Sequence, residues 1–127
     1  MLKKICLVIL GLVVVLFGLQ GLGWVMDPAT AAQGLGMPLL DEMGRSSQVG
    51  DFSAFFIFLS VAAIIGFVTR NRAWFLASAL LLGLAAVGRT LAWALHDAPF
   101  ATTFIVIEIV FAGIIAWASG PACADID

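Results

Sequence analysis

Residues 73–95 read AWFLASALLLGLAAVGRTLAWAL, a run of apolar and small residues broken by one ionisable side chain, Arg89. A helix crosses a hydrocarbon layer of about 30 Å with ~20 residues at ~1.5 Å each, so this run is long enough. It lacks the alternation of a membrane-barrel strand. A helix also satisfies its backbone hydrogen bonds within itself, as lipid requires. An arginine inside such a span costs about 2.5 to 3.5 kcal/mol on insertion scales, so it calls for a partner or a purpose.

Working outward, three more runs have the same character: 5–25, 52–69 and 100–118. The expectation is an all-α, integral membrane four-helix bundle forming one domain over 1–127. Composition agrees with a lipid solvent. Of the 127 residues 63% are hydrophobic and 11% charged, and the mean hydropathy is +1.15. Soluble domains are nearer half apolar and a quarter charged, and a chain this short cannot bury the surplus. The net charge of −2, without a basic run, speaks against a nucleic-acid partner.

Basic residues set the orientation. Lys3 and Lys4 precede the first span, and Arg70 and Arg72 occupy the turn between the second and third. The loop from Met26 to Asp51 sets Arg45 against Asp27, Asp41, Glu42 and Asp51, and the connection 96–99 has no lysine or arginine. Both termini therefore read as cytoplasmic. Trp24 and Trp93 fall at outer helix ends and Trp74 and Trp117 at inner ends, the pattern of an interfacial belt. The first run, followed by Ala29-Thr30-Ala31, also has the look of a signal peptide. Its length and the long gap to that site favour a retained helix. Cys6 and Cys123 both fall near the cytoplasmic face, where a stable disulfide is not expected. Cys6 then reads as a packing residue and Cys123 as a free thiol.

The first loop is long for a connector. Asp27-Pro28 is a helix start, with an N-cap followed by proline at the first helical position. Ala29, Ala31 and Ala32 continue the helix, and Gly34 or Gly36 can end it, giving a short helix at the outer interface. Pro38-Leu39-Leu40 offers an apolar patch facing back toward the bundle, and 44–50 reads as the flexible part.

Two charges lie inside spans, Arg89 in the third and Glu108 in the fourth. From the ~1.5 Å rise, Arg89 is about 9 Å and Glu108 about 12 Å below the outer ends of their helices. Antiparallel neighbours would bring them nearly level, as an ion pair. Gln20 reaches a similar depth, Asp51 begins the second span, and His96 lies seven residues beyond Arg89 on the same helical face. Arg89, Glu108, Gln20, Asp51 and His96 together make the candidate binding site in the outer half. The alternatives are bland: a pair that fixes helix register, a glutamine making a helix–helix hydrogen bond, and a histidine exposed at a helix end. Phe55, Phe58, Phe100, Phe104 and Phe111 read as lipid-facing or packing residues. Ala62/Gly66, Ala79/Gly83, Ala112/Ala116 and Gly11, Gly18 and Gly21 would let helices approach closely, within one chain or between copies. The inner half offers only Ser60 and Ser78. No catalytic constellation, cofactor motif or metal-ligand spacing is present, so neither an enzyme nor a cofactor is expected.

The run GLGWVMDPATAAQGLGMP at 21–38, with Gly88-Arg89 and Glu108, resembles a domain-of-unknown-function family of small bacterial four-helix membrane proteins, distantly similar to the DoxX-like proteins. The resemblance spans nearly the whole chain. It implies the four-helix fold, a multi-pass place in the bacterial inner membrane, and a marked role for Gly88-Arg89 and Glu108. Such proteins often carry an acid and an arginine near the start of helix two. Asp51 stands in the acid's place here, and 52–55 supplies no arginine. Two functions follow as expectations. The first is a non-enzymatic accessory or assembly subunit of a larger membrane complex, or a homo-oligomer. The alternative is a binder or carrier of a small amphiphile (lipid, quinone or similar) in an outward-facing pocket around Arg89 and Glu108.

Overall fold

The computed structural model describes residues 1–120, apart from the side chain of Lys3, and Cys123 lies outside the described residues. The described chain is helical: α1 (Leu2–Met26), α2 (Pro28–Gly34), α3 (Glu42–Thr69), α4 (Arg72–His96) and α5 (Thr102–Ala118). Three of these, α1, α3 and α4, are long and apolar enough to cross a membrane. The fourth apolar helix, α5, has 17 residues and is about 26 Å long. It starts at Thr102 rather than Phe100. Pro99 and Phe100 remain in the connection, where the Phe100 ring meets Trp93 edge-on at 5.3 Å.

The described residues fall into two compact units, one formed by 8–64 and the other by 1–7 with 65–120. In the first, α1 and α3 pack closely. Val13, Phe17 and Trp24 are buried on one stripe of α1, spaced as a helix seam requires. Small residues let the backbones meet. A Cβ built on Gly21 would lie 2.6 Å from Ile57 Cγ1, and one on Gly18 would lie 3.1 Å from Ser60 Oγ. The Ser60 hydroxyl donates to the Val14 carbonyl at 2.8 Å, giving the contact a fixed register. Aromatic rings extend the seam, with Trp24 stacked on Phe52 at 4.7 Å and Phe17 on Phe56 at 6.2 Å.

Trp24 is fully buried, which corrects its reading as an interfacial belt residue. Its indole is held by the Phe52 ring, an interaction that position along the chain does not reveal. Trp93 and Trp117 are exposed.

The segment between α1 and α3 is ordered by local chemistry. Asp27 caps α2 by accepting from the Thr30 N–H at 3.3 Å, with Pro28 at its first turn. At the other end Gly36 takes φ +73°. The N–H of Gly36 donates to Gln33 O and that of Met37 to Ala32 O, the paired bonds of a Schellman motif. Glycine fits there because a left-handed residue with a Cβ is strained.

Residues 44–50 are helical, which corrects their reading as a flexible stretch. The second apolar run begins at Phe52, yet its helix starts at Glu42. Hydropathy marks where lipid starts, not where a helix does. No proline interrupts 42–51, and Arg45 pairs with Asp41 one turn away at 2.8 Å.

In the second unit α4 and α5 pack together as a hairpin. Asn71 caps α4 by accepting from the Ala73 N–H at 3.0 Å, and Asp97 closes it in the left-handed conformation. Gly66 admits the Phe75 ring, which a Cβ would meet at 2.8 Å. Phe75, Ser78, Leu82 and Ala86 form the buried stripe of α4, and Ile105, Glu108, Ile115 and Ala118 that of α5. Arg89 continues the α4 stripe one turn beyond Ala86.

The outward surfaces are apolar. Val8, Leu12, Leu19, Leu84, Leu91 and Ile109 are all well exposed, which suits hydrocarbon rather than water. The Cys6 side chain is buried, as a packing residue is, but it is disulfide-bonded, which corrects the expectation that no stable disulfide forms. That reading weighed the redox compartment, whereas bonding depends on geometry.

Candidate functional site

The continuing stripe of α4 meets that of α5 at a pair of opposite charges. The Arg89 Nε–H donates to Glu108 Oε1 at 2.8 Å. Phe104, one turn before Glu108 and so on the same face of α5, places its ring 4.8 Å from the Arg89 Cζ. The guanidinium is thus held by a carboxylate and an aromatic face, both contributed by α5. From the sequence alone Phe104 reads as a lipid-facing or packing residue. Its four-residue spacing from Glu108 was the available signal.

Only part of the pair's hydrogen-bonding capacity is used. A guanidinium carries five N–H donors, and side-on pairing with a carboxylate engages both oxygens. Here one donor meets one oxygen. Glu108 Oε2 is buried without a hydrogen-bond partner, and neither Arg89 Nη atom has an acceptor among the described residues. The Glu108 side chain is 10% exposed and that of Arg89 29%. The carboxylate is therefore the buried member and the guanidinium the accessible one. A buried oxygen without a donor costs about 1 to 3 kcal/mol, more when the group is charged, so this is a site with unmet valence.

His96 is the last residue of α4; its side chain is exposed and joins neither member of the pair. Asp51 lies within α3 rather than at its start and is exposed. Gln20 is half-buried on α1, and its side chain makes no hydrogen bond among the described residues, so the expected helix–helix bond is not formed. Asp51 and Gln20 both belong to the unit formed by 8–64.

A polar residue outside that set does more. Gln48 is buried. Its Oε1 accepts from the Leu40 N–H at 2.8 Å, and its Nε2 donates to Pro38 O at 3.0 Å and to Met37 Sδ at 3.1 Å. Arg45 Nε adds a bond to Leu40 O at 2.9 Å. One glutamine thus ties 37–40 to the first turns of α3. An amide can donate and accept at once, yet nothing local in the sequence sets Gln48 apart from its polar neighbours. Among the described residues Trp24 Nε1 is another buried side-chain polar atom without a hydrogen-bond partner.

Among the described residues no three of His, Cys, Asp and Glu stand close enough to hold a metal ion. The arrangement at Arg89 and Glu108 leaves hydrogen-bond donors and an acceptor free for a polar group. Comparison with protein-family models, curated proteins and solved structures finds no match for this chain.

Proposed function

We propose that this protein binds a small amphiphile at membrane depth, with the Arg89–Glu108 pair receiving the head group and the apolar faces of α4 and α5 receiving the tail. One observation carries the reading: an accessible guanidinium with unused donors is bonded to a buried carboxylate with an unused oxygen. Intramembrane charges usually mark functional positions, and this pair is not closed on itself. The protein needs no catalytic chemistry in this role.

The same proposal includes a place in a bacterial inner membrane, with α1, α3, α4 and α5 as four spans and both termini cytoplasmic. The basic residues at Lys3, Lys4, Arg70 and Arg72 support that orientation. A bilayer thins locally, at modest cost, around a helix as short as α5. Asp27 to Gly36, with α2, would then lie at the outer interface. The likeness to DoxX-like proteins belongs to this reading and supplies no activity of its own.

A second reading, an accessory subunit of a larger complex, draws on a separate observation. Gly83, Gly88 and Gly113 have nothing within 4 Å of where a Cβ would stand. These small residues therefore serve no close approach among the described residues and leave room for a neighbouring helix.

Thermal melting in detergent with added lipid extract from the source membrane tests the first reading. Occupancy at about 100 times Kd stabilises by about 2.7 kcal/mol, so wild type should shift upward by several degrees. Arg89→Gln should shift much less. Equal shifts in the two proteins would remove the Arg89 site.

A further inference from the structure

We infer that the head group held at Arg89 and Glu108 is uncharged and carries a hydroxyl, as in a diacylglycerol-like lipid, and is not an anion such as a phosphate. This rests on the binding reading above and narrows its ligand.

Charge is the first ground. Arg89 and Glu108 neutralise one another. Each is the one charged residue in its apolar stretch, with Arg72 and His96 at the ends of α4 and no other charge on α5. On the remaining apolar helices, 5–26 and 52–69 contain no charge at all. An anion at Arg89 would leave the site with net charge −1 and no second cation to offset it, which a low-dielectric environment penalises heavily. An uncharged head leaves the balance intact.

Hydrogen-bond valence is the second. The Arg89 Nη atoms need an acceptor, and Glu108 Oε2, buried and unpartnered, needs a donor. An acceptor-only head such as an ester answers half of this, and a phosphate dianion brings no donor. A hydroxyl accepts and donates through a single oxygen. Size favours it too: Oε2 has almost no accessible surface, so a one-atom bridge needs the smallest shift of the pair. The approach is past Arg89, whose side chain is the exposed partner.

The test uses the full chain in phosphatidylcholine nanodiscs doped with equal amounts of dioleoylglycerol and dioleoylphosphatidic acid. Native mass spectrometry then reads which lipid stays bound. Wild type should retain dioleoylglycerol over phosphatidic acid by about tenfold or more. Glu108→Gln removes the negative partner and leaves Arg89 unpaired, so its preference should reverse toward phosphatidic acid. Arg89→Gln should retain neither. If wild type prefers phosphatidic acid, the inference fails while binding at the pair stands. If wild type retains neither lipid, both fail. Should Glu108→Gln not fold, the wild-type competition decides alone.

Discussion

Arg89 and Glu108 share a single 2.8 Å hydrogen bond, and the two residues differ in what each leaves behind when the other is removed. Arg89→Ala strands a carboxylate that is 10% exposed, and breaking a buried pair this way costs about 3 to 5 kcal/mol. Replacing both with alanine removes the stranded charge and should destabilise less than Arg89→Ala alone. A thermal-melt cycle on the two single variants and the double should give a coupling of about 1 to 3 kcal/mol. Additive single effects would mean that the pair contributes nothing. The pair was legible in the sequence because depth along two consecutive helices is simple arithmetic. Its incomplete bonding was not, because rotamers decide which donor meets which oxygen. Gln20 shows the opposite case: its depth gives its side chain no hydrogen bond among the described residues.

Helix packing turns on a few close approaches. A Cβ at Gly21 would meet both Ile57 Cγ1 and, at 3.0 Å, the Ile57 backbone N, so α1 and α3 must separate to admit it. Gly21→Ala should cost about 1 to 3 kcal/mol, whereas Gly113→Ala, with nothing within 4 Å, should change stability by less than about 0.5 kcal/mol. Chemical or thermal denaturation of the two variants in one detergent makes the comparison. Gln48→Ala removes three bonds to 37–40 and should speed hydrogen exchange at the Leu40 amide while leaving the α4–α5 hairpin unchanged. Unaltered exchange at Leu40 would show that the glutamine does not hold the segment. The ends of α2 were readable because Asp27, Pro28 and Gly36 act locally, through a side-chain cap, a fixed φ and a left-handed backbone. The first turns of α3 were not, because a polar amphipathic helix and a polar loop share a composition. Gln48 reaching back to Pro38, and Arg45 to Leu40 O and Asp41, separate them.

Three helices among the described residues are long and apolar enough to cross a membrane, and composition alone already points to them. Orientation is a further claim. A cysteine introduced at Ser46 should react with an impermeant maleimide added outside intact cells, and one at Asn71 only after permeabilisation; the reverse pattern would invert the topology. The most direct test of the central claim, that a small amphiphile occupies the Arg89–Glu108 pair, is native mass spectrometry of protein extracted gently from its own membrane. Wild type should carry a discrete added mass of lipid size that Arg89→Ala lacks. A bare chain in both, or the same added mass in both, would contradict it.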